Sequence, residues 1–180
     1  LRDFAKENIF DILGMQYTDY LPTIQQQDGK WINTVACPWM DRIAPTEKQK
    51  DGSVLCGQVH DPLARILNGG ISGNAGIFSN ANDIGILAAA LLNGGEYNGR
   101  RILSPLGVKT MCTVPRELTA FGRTPGWDIF SPYASNKGDL FSPNTFGHTG
   151  YTGTSIIIDP DNDTAVILLV NAVHPEDRHS

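Results

Sequence analysis

The residues best suited to chemistry stand together at the end of a predicted strand. His148, Thr149 and Gly150 follow Phe146-Gly147 and precede Tyr151. Where a strand lacks side chains, its backbone can approach a ligand closely. We therefore predict that this short stretch lines a ligand-binding or catalytic site.

The other three histidines favour structural roles. His60-Asp61 lies in a predicted loop, His174-Pro175 follows a predicted strand, and His179 lies in a polar tail. No cysteine or carboxylate stands near them at the spacing that zinc sites use. The sequence therefore predicts no bound metal.

The three cysteines are far apart in the sequence, and they show neither CxxC spacing nor an even number. That arrangement supports neither a disulfide framework nor a zinc cluster. We interpret them as buried thiols. They are Cys37, Cys56 and Cys112.

Composition excludes several classes of partner. The formal net charge is −5, and no run of Lys or Arg occurs. Both observations argue against a nucleic-acid-binding surface and a polybasic membrane contact. The longest apolar runs, Ile84–Leu92 and Ala165–Val170, are far shorter than the ~20 residues that span a bilayer, so no membrane span is predicted.

Three helices can be predicted from periodicity and caps. Apolar residues from Leu1 to Ile12 recur at helical spacing, and Gly14 provides the stop. A second helix begins at Ser79 or Asn80 and runs to Leu92, and a third follows Ser104-Pro105. Between the first two, residues 16–57 lose periodicity and contain several prolines, which predicts a long irregular segment. Its aromatic residues either line a substrate cleft or fix the segment to the body of the domain; they are Tyr17, Tyr20, Trp31 and Trp39.

The C-terminal third predicts strands at Thr145–Gly150, Gly153–Ile158 and Ala165–Asn171, the last two joined as a hairpin through the turn Asp159–Asp163. The apolar residues of the hairpin are continuous rather than alternating, which is typical of a sheet covered on both faces. We expect helices on one face, and more chain or a partner on the other.

Several ordered stretches around His148 resemble the serine β-lactamase and penicillin-binding-protein superfamily. The segment Phe146–Thr154 resembles the surroundings of its third motif, Lys-Thr-Gly, in the branches that carry His-Thr-Gly instead. Upstream, Ala44-Pro45-Thr46-Glu47 and Gly57–Pro62 resemble the A-P-T-E and G-x-V-H-D stretches, and Gly69–Ser79 resembles a glycine-rich stretch of the family. The resemblance covers essentially the whole chain.

The resemblance implies an α/β fold of the α+β type, with an antiparallel sheet packed against helices. It also implies acyl transfer, in which a serine attacks a carbonyl and backbone N–H groups bind the oxyanion. On this basis the Tyr151 N–H is one oxyanion donor, Thr149 hydrogen-bonds a polar group of the substrate, and Gly150 lets the substrate lie against the strand. No cofactor is implied.

His148 occupies the position where the family more commonly has Lys. Lys is a fixed cation near neutral pH, whereas an imidazole titrates near pH 6.5. The substrate that the resemblance implies is an ester, a D-amino-acid peptide or a β-lactam, and His148 disfavours strong selection for a carboxylated β-lactam and favours an ester or a peptide-like substrate.

The family's nucleophile motif is missing, since no Ser is followed by Lys three residues later. Tyr133-Ala134-Ser135 imitates the tyrosine motif, but it lies too close to His148 in sequence. We therefore interpret residues 1–180 as the C-terminal portion of one hydrolase domain whose upstream part carries the nucleophile, and we expect the isolated chain to be inactive.

The family implies a small-molecule or peptidoglycan-like substrate and a periplasmic or exported protein. Two alternatives remain open. The domain could be a non-catalytic binding or accessory module of the same fold, or the isolated piece could associate with itself.

Overall fold

The computed structural model describes residues 1–177, except for the side chains of Tyr133, Ser135 and Asn136. His179 thus lies outside the described residues. The helices are α1 (Arg2–Ala5), α2 (Asp11–Leu13), α3 (Pro62–Ile66), α4 (Ala81–Leu92) and α5 (Pro105–Cys112). A π-helical turn joins α1 to α2, and three short 3₁₀ helices occupy Met40–Arg42, Arg116–Phe121 and Pro132–Lys137. The strands are β1 (Asp19–Tyr20), β2 (Thr23–Gln25), β3 (Trp31–Asn33), β4 (Ile77–Phe78), β5 (Glu96–Tyr97), β6 (Arg100–Arg101), β7 (Phe146–Thr149), β8 (Ser155–Asp159) and β9 (Thr164–Leu168).

This mixture of helices and antiparallel strands confirms the predicted fold class. Every strand pair is antiparallel among the described residues. The largest sheet has the order β7-β8-β9. Its strands have four or five residues where six or seven are predicted, although β8 and β9 each extend one residue further into their connecting turn than predicted.

The N-terminal helical run ends as the sequence predicts. Gly14 follows α2 in the left-handed conformation, with φ of 75°, which glycine adopts without steric cost. Phe10 and Leu13 are buried on one face of this run and pack in a core cluster with Tyr20 and Ala90. Tyr20 therefore fixes the irregular segment to the body of the domain.

Helix α4 is the central packing element. The Asn80 side chain caps it by accepting from the Asp83 N–H at 2.8 Å. Asp83 is itself buried and accepts from the Tyr17 N–H and the Thr18 hydroxyl. The start of α4 is thereby attached to the residues that follow α2.

One face of the β7-β8-β9 sheet packs on α4, and the other is open at β9 within the described residues, although Ile157 of β8 on that face is buried. The Ile167 Cδ1 of β9 lies 3.8 Å from the position that a Cβ on Gly85 of α4 would take, so the two backbones approach closely there. Ile158 of β8 is fully buried. Because successive side chains of a strand alternate in direction, Val166 and Leu168 face the other way, and they are 46% and 52% exposed. Residues 1–177 therefore supply the second cover that the sequence predicts only in part, and they leave β9 open.

The irregular segment is fastened to the C-terminal end of the chain. The Asn171 side chain donates to the Pro45 carbonyl at 2.7 Å. The His174 Nδ1 lies 2.7 Å from the Thr46 carbonyl, to which it donates. His174 therefore has the structural role that the sequence predicts.

The cysteines are free, as expected, but each is half-buried rather than buried, which corrects the prediction. Burial raises the pKa of the Cys112 thiol to about 11. In the part of the chain that the structure describes, no helix has the length and apolar character needed to cross a membrane.

Candidate active site

The four predicted site residues lie together where β7 ends. His148 and Thr149 are its last two residues, paired with Ile156 and Ser155 of β8. A Cβ on Gly150 would lie 2.4 Å from the Thr154 hydroxyl oxygen. A larger residue here would require the Thr154 side chain to move, and the turn is closed by the Gly150 N–H, which donates to the Thr154 carbonyl at 2.7 Å.

The backbone N–H of Tyr151 points to no acceptor within residues 1–177. Its neighbours in the turn, Gly150 and Gly153, both donate to backbone carbonyls. An unpaired N–H at the end of a strand is a donor that a ligand can use.

The Tyr151 side chain is held from two sides. Its ring stacks on His60 with centroids 5.7 Å apart and planes inclined by 19°. Its hydroxyl donates to Asp177 at 2.5 Å, and this hydrogen bond raises the pKa of Tyr151. Behind the stack, His60 Nε2 lies 3.3 Å from a Glu47 carboxylate oxygen, within ion-pair distance but without hydrogen-bond geometry. The side chain is thus anchored on one side of the turn.

The His148 ring has a defined tautomer. Its Nε2 lies 3.1 Å from Arg123 Nη2, and its Nδ1 lies 2.7 Å from the Thr149 carbonyl. Because a guanidinium only donates, Nε2 must be the acceptor. The proton is therefore on Nδ1 and is donated to Thr149.

Asp128 holds Arg123 in this position. The Arg123 Nε lies 2.7 Å from Asp128 Oδ1, and the Asp128 side chain is only 3% exposed. Asp128 also accepts from the Ser131 hydroxyl at 2.7 Å. Its backbone pairs with Gly147 of β7 in both directions, at 2.8 and 3.0 Å, so this segment borders the free edge of β7.

Sequence reasoning missed Arg123 and Asp128, which lie in a stretch predicted only as turn-rich. The one local signal is the turn Thr124-Pro125-Gly126, which folds the chain back so that the Thr124 N–H donates to the Trp127 carbonyl at 2.9 Å. Nothing in the sequence shows that the resulting hairpin lies against β7. His60 was predicted to be structural, and its stacking on Tyr151 brings it to the edge of the site.

Other sequence features have structural roles. Asp61 caps α3 by accepting from the Ala64 N–H at 2.7 Å. Gly76, in the glycine-rich stretch, has φ of 127°, and a Cβ there would lie 2.5 Å from the Gly70 carbonyl oxygen. The Lys137 amine donates to the carbonyls of Ile129 and Thr145, and burial lowers its pKa.

No group of three or more His, Cys, Asp or Glu side chains among residues 1–177 is arranged to hold a metal ion. The imitation of the tyrosine motif at Tyr133-Ala134-Ser135 lies in a 3₁₀ helix. The structure does not describe the side chains of Tyr133 and Ser135.

Comparison with known proteins gives a consistent family. A family model described as Beta-lactamase matches residues 1–180. A protein of Escherichia coli (strain K12) named D-alanyl-D-alanine carboxypeptidase is 35% identical over 185 residues, which cover 95% of this chain and 40% of that protein. Its counterpart in Salmonella gallinarum is 40% identical over the same shares. The chain therefore spans 40% of the length of these curated relatives.

Solved structures support the fold. Simvastatin synthase (LovD) from Aspergillus terreus has a TM-score of 0.60 at 16% identity, covering 94% of this chain and 44% of that one. A penicillin-binding protein homologue from Caulobacter crescentus has a TM-score of 0.55 at 17% identity, with 94% and 46% covered. At such identities the likeness concerns the fold alone.

Proposed function

Since the chain belongs to the Beta-lactamase family, we propose that residues 1–180 are the C-terminal part of a serine hydrolase domain that acts through an acyl-enzyme. The upstream part of the protein supplies the serine and the groups that move its proton. This chain supplies the wall of the site on which the substrate lies.

The observation that carries the proposal is the unpaired Tyr151 N–H within the described chain, at the end of β7. A backbone donor fixed in a tight turn is the group that stabilises a developing oxyanion. Gly150 has no side chain and leaves room for the substrate beside this donor. Thr149, the last residue of β7, provides a hydroxyl that hydrogen-bonds the substrate. In this proposal the four consecutive residues at the end of β7 line the acyl substrate: His148, Thr149, Gly150 and Tyr151.

The proposed substrate is an ester or a D-amino-acid peptide related to peptidoglycan. The curated relatives carry the name D-alanyl-D-alanine carboxypeptidase, which favours the peptide. His148 replaces a lysine, and although the guanidinium of Arg123 lies 3.1 Å from its ring, the Asp128 carboxylate pairs with that guanidinium at 2.7 Å and offsets its charge. Recognition of the substrate on this side of the wall therefore rests on hydrogen bonds rather than on an unpaired cation.

We further propose that the full-length protein is periplasmic or exported, where such substrates occur. It needs no cofactor. The isolated chain is inactive, and the open face of β9 leads it to associate with a second copy.

The experiment uses the full-length protein and the isolated 180-residue chain side by side. Each is incubated with a fluorophosphonate probe and with a fluorescent penicillin, and the labelled residue is located by peptide mass spectrometry. We expect labelling of one serine upstream of Leu1 and none on the isolated chain. Stoichiometric labelling of a serine within residues 1–180 would contradict the division of the site, and an unreactive full-length protein would favour the non-catalytic alternative.

Thr149→Val tests the substrate wall in the full-length protein. Removing a hydrogen bond to a charged group typically costs about 1.5–3 kcal/mol, which predicts a fall in kcat/KM of about tenfold or more for a D-alanyl peptide or ester. Thr152→Val, in the same turn, is the matched control and should leave kcat/KM within about twofold. Equal effects of the two substitutions would show that Thr149 does not contact the substrate.

A further inference from the structure

We propose that Arg123 is a positioning residue, which Asp128 fixes in place and which in turn holds His148 as a neutral hydrogen-bond acceptor at Nε2. The functional consequence rests on the proposed function, because His148 is taken as part of the substrate wall. The geometry itself does not depend on that function.

The direction of each hydrogen bond follows from the donors available. Arg123 forms an ion pair with Asp128, with Nε 2.7 Å from Oδ1, and donates from Nη2 to His148, while His148 donates from Nδ1 to the Thr149 carbonyl. Rotating the ring by half a turn would direct C–H groups at both partners. The network therefore selects one ring orientation and one tautomer.

Asp128 provides the rigid end of the network. It is 2% exposed, and its backbone is hydrogen-bonded in both directions to Gly147, the residue before His148. A buried carboxylate is costly unless it is paired, and Arg123 is its cationic partner. Any displacement of Arg123 would therefore leave the buried Asp128 carboxylate without its cationic partner. It would also remove the hydrogen bond that holds the His148 ring.

The outer atoms of the network are accessible. The side chains of Arg123 and His148 are 41% and 46% exposed. Arg123 is thus accessible to substitution without opening the core, whereas Asp128 is not. This difference makes Arg123 the residue of choice for testing the network.

The arrangement limits what His148 can do. Its Nε2 cannot accept a proton from a reacting serine while it accepts the Arg123 hydrogen bond, and its Nδ1 is already protonated. His148 therefore acts as a fixed part of the wall and not as the general base. Proton transfer is left to groups of the upstream part.

The test combines a spectroscopic signature with kinetics on the full-length protein. Ring ¹⁵N resonances of His148, assigned by comparison with His148→Gln, report which nitrogen carries the proton. We expect a protonated Nδ1 and an unprotonated Nε2 in the natural protein. Arg123→Gln should give a mixture of tautomers and lower kcat by roughly tenfold, the range for a lost charge-assisted hydrogen bond, with KM changed by less than about twofold.

Two further variants separate positioning from folding. Arg123→Lys keeps the charge and one donor, so it should recover part of the lost kcat, although it lacks the planar geometry that bridges two partners. Arg116→Gln, at an exposed arginine of the preceding 3₁₀ helix, should change neither the ring resonances nor kcat.

The outcomes distinguish this inference from the proposed function. A proton on Nε2 in the natural protein, or an Arg123→Gln variant with unchanged ring resonances and unchanged kcat, would overturn the inference whatever the activity. The expected tautomer in a protein that forms no acyl-enzyme would support the network and overturn the proposed function.

Discussion

Asp159 is a fully buried carboxylate in the turn between β8 and β9. Burial by itself raises the pKa of Asp159, but hydrogen bonds from Ser142 and Asn162, together with backbone N–H groups, outweigh it and hold the pKa well below its usual range. The Ser142 hydroxyl donates at 2.6 Å and the Asn162 amide at 2.8 Å. The charged form is thus the one that the turn is built to hold.

Asp159→Asn should destabilise the protein by about 2 kcal/mol at neutral pH, because donors arranged around a charge lose their acceptor. Urea unfolding of the full-length protein measures the difference. Asp163→Asn is the control, since Asp163 is exposed in the same turn with φ of 48°, a conformation that Asn also tolerates. Similar losses of unfolding free energy for Asp159→Asn and Asp163→Asn would show that the buried carboxylate stabilises the turn no more than an exposed one.

The same residue predicts a pH dependence. Because the folded-state pKa of Asp159 lies below that of the unfolded chain, its stabilisation is complete above the unfolded value, near pH 4, and is lost as pH falls toward the folded value. The difference in unfolding free energy between the natural protein and Asp159→Asn should therefore shrink between about pH 4 and pH 2. A difference that grows as pH falls would contradict this assignment.

At the scale of elements, Gly147 is where three strand segments meet. An ideal Cβ on this residue would lie 2.3 Å from the Ile156 carbonyl oxygen, while its own N–H and carbonyl pair with Asp128. No side chain fits without separating β7 from β8.

Gly147→Ala should lower the free energy of unfolding by about 1–3 kcal/mol, the range for overpacking. It should also lower the proposed acyl-transfer activity, because β7 would shift away from β8 and carry His148 with it. Thermal unfolding and kcat/KM of the full-length protein provide the measurements. Gly126→Ala, for which the added Cβ meets no atom within 4 Å, is the matched control. A Gly147→Ala variant as stable as this control would mean that β7 and β8 are less closely paired than described.

Elements with local signals could be predicted from the sequence. Gly14, Asn80 and Ser104 each mark a helix end through chemistry confined to one turn, and the β8–β9 hairpin follows from a short polar turn between apolar runs. In the irregular segment, β1 could not be predicted because it pairs with β4 across more than fifty residues of sequence. Strands β2 and β3 do pair locally, but each has only three residues, too few to show an alternating pattern.

The site divides in the same way. His148–Tyr151 are consecutive, so one strand end brings them together and the sequence predicts their proximity. Arg123 and His60 reach them only through tertiary packing, and no spacing in the sequence encodes that approach.

At the scale of the whole molecule, the open face of β9 predicts association of the isolated chain. Val166 and Leu168 expose about half of their surface side by side, and contiguous apolar surface of this kind favours contact with another chain. Sedimentation velocity at micromolar concentration should show species larger than the monomer. Val166→Thr with Leu168→Thr should shift the distribution toward monomer, whereas Leu106→Thr, an exposed residue of α5, should not. A natural chain that stays monomeric would refute the prediction.

The fastening of the irregular segment to the C-terminal end also bears on the order of events during synthesis. The bonds from Asn171 to Pro45 and from His174 to Thr46 join residues 126 and 128 positions apart in sequence, and contacts so distant form late because a long loop must first close. Glu47, which lies behind the His60–Tyr151 stack, belongs to the segment that these bonds hold. The support for the Gly150–Gly153 turn thus cannot be completed until Asn171 and His174 have been synthesised, and a chain cut short after Val170 would have the His-Thr-Gly strand without the loop that backs it.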